Sequence, residues 1–77
     1  MINVLFFAHL QEAVGESNIS WSADSPITVQ ELKQKLEEKY NLNLQSVMVA
    51  VNEEYAEDDV QLTSGDTIAL IPPVSGG

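Results

Sequence analysis

Ile27-Thr28-Val29-Gln30-Glu31-Leu32-Lys33-Gln34-Lys35-Leu36-Glu37-Glu38-Lys39-Tyr40-Asn41 carries the strongest structural signal in the chain. Thr28 followed three residues later by Glu31 is a capping box, in which each side chain satisfies a backbone N–H that the first helical turn leaves free. Ile27 and Leu32 flank it as a hydrophobic staple. Val29, Leu32, Leu36 and Tyr40 then recur at helical spacing and make one apolar stripe. Glu31 and Lys35 add an i,i+4 pair of about 0.2–0.5 kcal/mol. Asn41 is a suitable stop. An amphipathic helix over 29–40 follows, and its stripe needs a surface to cover.

That surface is read on either side. Ile2 to Ala8 is a short, almost wholly apolar run rich in strand-forming residues. Alternation puts Ile2, Val4 and Phe6 on the core face and Asn3, Leu5 and Phe7 on the other. Leu10 to Val14 suits a short helical turn closed by Gly15 in the left-handed conformation. Asn18 to Ser22 alternates around Ile19 and Trp21 and reads as a second strand, antiparallel to the first. Val47 to Val51 is a third β-favouring run. Asn52 to Asp59 is polar and acidic and reads as a turn, with room for a short pairing segment near Tyr55. Val60 and Leu62 tether the next loop to the core, Ser64-Gly65-Asp66 is a turn signal, and Thr67 to Ile71 is the last strand. One helix laid on one face of a small mixed sheet is the α+β plan called the β-grasp, the architecture of ubiquitin. The domain is assigned to residues 1–71 and a C-terminal tail to 72–77.

Composition narrows the function classes. A chain of 77 residues makes one domain, with little room for an enclosed substrate pocket. It has no cysteine, hence no thiolate nucleophile and no disulfide. Its single histidine, His9, is read as a surface or loop residue, because one imidazole without a paired acid makes neither a catalytic group nor a metal site. Glu53-Glu54 and Glu57-Asp58-Asp59 lack the ordered ligand spacing of a calcium loop and read as solvated charge, so no metal is expected. Trp21 and Tyr40 read as core or half-buried aromatics, and Lys33, Lys35 and Lys39 as solvent contacts. With 12 acidic residues against three lysines the formal charge is −9, which opposes binding to nucleic acid and to anionic lipid. The same charge serves solubility, or steers the domain to a basic partner. There is no apolar run long enough to span a membrane and no signal-peptide pattern at the start, so a cytoplasmic location is expected.

The last six residues are Pro72-Pro73-Val74-Ser75-Gly76-Gly77. Neither proline offers an amide to a ladder, and Pro73 forces Pro72 into an extended conformation. A projecting, extended tail is expected. The two glycines have no side chains and can thread a slot too narrow for other residues. The Gly77 carboxylate would then sit at the tip of a thin probe. A carboxylate is a poor electrophile, and adenylation by ATP would activate it for replacement of an oxygen by sulfur.

Met1-Ile2-Asn3-Val4-Leu5-Phe6-Phe7-Ala8, Ala50-Val51-Asn52, Gly65-Asp66 and the ending Pro72-Pro73-Val74-Ser75-Gly76-Gly77 resemble the small-subunit family of molybdopterin synthase. The resemblance covers the chain in order and length, by motif at both ends and by pattern between Ser22 and Leu44. It implies that Gly77 is adenylated by a ubiquitin-activating-type adenylyltransferase and converted to a thiocarboxylate. It implies no permanently bound cofactor, only the thiocarboxylate or a transient AMP adduct. The carrier would dock on the molybdopterin synthase large subunit and insert the tail, residues Pro72, Pro73, Val74, Ser75 and Gly76. Sulfur would pass to cyclic pyranopterin monophosphate to build the molybdopterin dithiolene. The resemblance further implies a heterotetramer of two small and two large subunits, with the catalytic groups on the large one.

The tail leaves the last strand, so the docking patch is expected on the open sheet face beside it. Alternation turns Thr67, Ala69 and Ile71 outward with Phe7, and Tyr55 is expected next to them. Phe7, Tyr55 and Ile71 are the interface residues expected on that basis. Burial of Phe7 in the core is the other reading, since strand one is apolar throughout. Two rival functions share these features: a thiamine-pathway sulfur carrier, and a ubiquitin-like interaction module with an inert tail.

Overall fold

A computed structural model describes residues 1–22 and 26–73. The helix expected from the capping box is present as α2, Val29–Tyr40. Its N-terminal donors are all satisfied, which a helix end needs before it can be covered by protein. The Thr28 N–H donates to Glu31 Oε1 at 3.1 Å, and the Glu31 N–H donates to Thr28 Oγ1 at 3.2 Å. The Val29 and Gln30 N–H groups donate to the carbonyls of Val60 and Asp58 at 2.9 and 3.0 Å. At the other end Asn41 takes the left-handed conformation, φ 56° and ψ 50°, which asparagine tolerates better than most residues. The Glu37 carboxylate accepts from the Leu44 N–H at 2.7 Å and holds the following loop where Leu44 is fully buried.

The main sheet has five strands: β1 (Ile2–Phe6), β2 (Asn18–Trp21), β4 (Met48–Val51), β5 (Glu54–Ala56) and β7 (Thr67–Ile71). Their spatial order is β2-β1-β7-β4-β5. Only the central β1–β7 pair is parallel. A second ladder pairs β3 (Ile27–Thr28) with β6 (Gln61–Leu62). A short helix, α1 (His9–Val14), ends at Gly15 with φ 88°. This is the β-grasp expected from the sequence.

The core lies between α2 and one sheet face. It joins Val29, Leu32 and Leu36 of the helix to Ile2, Val4, Phe6, Val49, Ile68 and Leu70 of the sheet. Full burial of each such side chain is worth about 1.5–3 kcal/mol relative to exposure. Tyr40 extends the core by an edge-to-face contact with Phe6, ring centroids 6.1 Å apart. Lys39 Nζ lies 5.3 Å from the Trp21 ring centre and 5.5 Å from that of Tyr40, a cation–π arrangement that closes this side.

Three sequence expectations are corrected. Strand β1 ends at Phe6 rather than Ala8, because Ala8 has φ 52° and ψ −131° and turns the chain away from the ladder. Val60 does not tether its loop by burial: it is exposed, and the anchor is Leu62, which is fully buried. Lys33 is not a free solvent contact. Its side chain is 14% exposed and its Nζ lies 3.3 Å from Asp58 Oδ1. The short pairing segment expected near Tyr55 is present as β5, joined to β4 by a tight hairpin at Val51-Asn52-Glu53-Glu54 with φ of 52° and 72° at its two central residues. The mirror-image turn this implies matches the right-handed twist of paired strands.

Candidate docking site on the open face of the sheet

The sheet face turned away from α2 carries the site. Strand alternation sends alternate side chains there, and the register lines them up across four strands. Leu5 pairs with Ala69, Ala69 with Ala50, and Ala50 with Tyr55. Two methyl groups therefore lie side by side between a leucine and a tyrosine. One step along, Ile71 pairs with Met48. Phe7 follows the last β1 residue, which pairs with Leu70. The result is a shallow groove of ≈ 450 Å³ lined by Phe7, Ala8, Ala50, Glu53, Tyr55, Ala69, Ile71 and Pro72.

Phe7 is 45% exposed and Tyr55 69% exposed, while Ile71 is half-buried. Phe7 is thus a surface side chain, not a core one. The structure brings Phe7, Tyr55 and Ile71 onto one groove. Met48, 49% exposed on the same face, extends the apolar surface. Apolar surface left open in this way commonly marks an interface.

The tail leaves from the same end. Because β7 runs parallel to β1, its C-terminal end lies beside Phe7. Pro72, assigned to the tail from sequence, is buried against the domain, and Pro73 is exposed. Val74, Ser75, Gly76 and Gly77 lie outside the described residues.

Sequence reading missed Ala8, Ala50, Glu53, Ala69 and Pro72 as groove residues. Ala69 was legible in part, since it stands at an outward position of the last strand. The pairing of Ala69 with Ala50 was not, because register between strands distant in sequence is a tertiary fact.

Among the described residues, Glu53 is the one charged residue lining the groove. All three lysines lie on α2, across the sheet from it. A separate depression lined by Gln30, Lys33, Gln34, Glu37, Leu44, Gln45 and Asp58 is polar; Lys33 pairs there with Asp58, and Glu37 accepts from the Leu44 N–H. His9 is exposed at the start of α1. Among the described residues no group of three or more His, Cys, Asp or Glu could hold a metal ion, and no helix is long and apolar enough to cross a membrane. At the far end of the face, Asp66 has its carboxyl held below the ordinary value of 3.8, first by the Thr63 N–H and then by the Asn52 side chain. The described residues thus offer a recognition surface without a catalytic cluster.

Comparison with known proteins agrees with this fold. The chain is 40% identical to the molybdopterin synthase sulfur carrier subunit of Escherichia coli (strain K12), with all of both chains covered. Among solved structures it resembles SAMP1 from Haloferax volcanii, with a TM-score of 0.82 and 26% identity over 99% of this chain and 98% of that one. It also resembles a chain in the complex of subunits 1 and 2 of the molybdopterin-converting factor from Helicobacter pylori 26695, with a TM-score of 0.69 and 30% identity over 99% and 97% of the two chains. The ThiS family model matches residues 4–77, and the chain belongs to that family.

Proposed function

We propose that the protein is the sulfur carrier subunit of a molybdopterin synthase. The 40% identity, over the full length of both chains, to a subunit of that name carries the reading. The Gly76-Gly77 ending and the apolar groove beside the exit of β7 support it.

The chemistry proposed for Gly77 has two steps. A carboxylate oxygen attacks the α-phosphorus of ATP on a ubiquitin-activating-type adenylyltransferase, and pyrophosphate leaves. Hydrosulfide supplied by a donor then attacks the acyl carbon, the C–O bond to AMP breaks and AMP leaves, and loss of the S–H proton gives the terminus as a thiocarboxylate. The carrier docks through the open sheet face on the large subunit, in a heterotetramer of two small and two large chains. The tail delivers sulfur to cyclic pyranopterin monophosphate, and the large subunit supplies the acids, bases and phosphate-binding groups. Activation consumes ATP, and the proposed compartment is the cytoplasm. The carrier is a reagent in this scheme: its two glycines cost nothing sterically in a narrow channel, and its open face sets where the tail points.

Intact mass spectrometry tests the scheme. After incubation with an activating enzyme, ATP and a sulfur donor, the mass should rise by the difference between sulfur and oxygen, mapped to Gly77. Deleting Gly76 and Gly77 should abolish the gain and leave the fold unchanged. No gain with an activating enzyme active on another carrier would overturn the proposal.

A further inference from the structure

We propose that the Ala50–Ala69 notch is a socket for one bulky apolar side chain of the docking partner, and that Glu53 on its rim receives a basic side chain next to it. The inference rests on the docking reading above and specifies what the partner surface must present.

Three observations carry it. First, Ala50 and Ala69 are direct cross-strand partners on adjacent inner strands. Alanine is depleted in strands, where β-branched residues pack better. Ala50 is only 7% exposed and Ala69 half-buried, so the pair makes a low floor beneath taller neighbours, and such breaks with local preference concentrate at functional sites. Second, the walls are tall and apolar. Leu5 and Tyr55 bracket the alanine pair in register, and Phe7 and Ile71 stand along the groove. Both strands under the notch are paired on each side, so an added strand has no free backbone to pair with. Only a side chain can enter. Third, the lining carries one charge among the described residues, Glu53, with all three lysines across the sheet on α2.

These features select the occupant. A small-molecule pocket needs several convergent polar groups to orient its ligand, and the described lining offers a single carboxylate. A partner knob needs one apolar seat and one charged neighbour, the pattern of an interface hot spot inside a polar rim. The net charge of −9 favours a basic rim on the partner.

The test uses the full chain and its large-subunit partner. Ala69→Ser, Ala69→Val and Ala69→Leu fill the notch in steps, with Kd measured by calorimetry and folding by thermal melting. Valine suits a strand, so Ala69→Val should melt no lower than the parent. Overfilling a packed contact should weaken binding about tenfold for Val and more for Leu, with Ser close to the parent. Glu53→Lys should slow association at low salt and reduce the loss of rate as salt is added.

Parental Kd in folded Ala69→Val and Ala69→Leu overturns the socket. If Phe7→Ala still weakens binding in that case, the docking face survives and only the notch is wrong. If Phe7→Ala also binds as the parent does, the docking face fails with it. Should the isolated chain dimerise, and Ala69→Leu abolish that dimer while sparing the partner complex, the occupant is a second copy and the inference is overturned. An unchanged association rate in Glu53→Lys removes the role of Glu53.

Discussion

The side chain of Asn52 clasps the turn that carries Asp66. Asn52 Nδ2 donates to Asp66 Oδ1 at 3.1 Å, and Asn52 Oδ1 accepts from the Thr67 N–H at 3.0 Å. Asp66 Oδ2 in turn accepts from the Thr63 N–H at 2.9 Å. The β4–β5 hairpin is thereby tied to the start of β7, and those strands carry Ala50 and Ala69. Asn52 itself sits at φ 52°, so one residue supplies both the turn and the clasp.

Asn52→Ala removes two side-chain hydrogen bonds and places alanine in a left-handed conformation. The expected loss of stability is about 1–2 kcal/mol for these exposed bonds. Asn52→Gly keeps the conformation, loses only the bonds, and should cost less. Urea unfolding with an unchanged slope checks both. Equal midpoints for parent and Asn52→Ala would show that the clasp contributes nothing.

Asp66 makes stability depend on acid. Its carboxyl is held below the ordinary value of 3.8 in the fold, so the unfolded chain binds the proton more readily. The contribution is therefore full above the unfolded value and is lost as pH falls through the folded one. The stability gap between the parent and Asp66→Asn should stay level from neutral pH to about pH 5 and shrink below it. A gap that widens with acid would contradict the assignment.

Ala8 is a strained turn residue. Its φ of 52° and ψ of −131° fall where glycine rests easily and residues with a Cβ do not. Ala8→Gly should raise stability by about 1 kcal/mol, the lower end of the usual cost of such strain. A lower melting temperature for the variant would show that the conformation is not strained.

Phe7 separates folding from docking. At 45% exposed it adds little to the core, and Phe7→Ala should change unfolding free energy by under about 1 kcal/mol. Binding to the large subunit should weaken by about 2 kcal/mol, roughly 30-fold, as for a hot-spot aromatic. Calorimetry and melting on one preparation distinguish this from a core role.

Much of the fold was legible because it rests on local rules. Thr28 and Glu31 announce the start of α2, and Asn41 its end. Ile68 and Leu70, both fully buried, are predicted core residues by alternation alone. The β3–β6 ladder was not legible: two residues on each side carry no period, and the pairing exists because Val60 and Asp58 offer carbonyls to the helix start. Lys33 looked like a solvent contact because nothing local reveals that the chain returns with Asp58 beside it.

The sequence by itself determined the amphipathic helix, the alternating strands that cover it, the acidic charge and the Gly-Gly ending, since each depends on residues close together along the chain. It also marked Phe7 and Ile71 as outward, because alternation within one strand is a local property. Only the tertiary structure decided that Ala50 lies against Ala69, that Pro72 is buried, and that Glu53 is the single charge on the groove among the described residues. Those facts depend on which strands pair and in what register. Register is set by the fit of the whole core, where a one-residue slip would send every buried side chain to the opposite face.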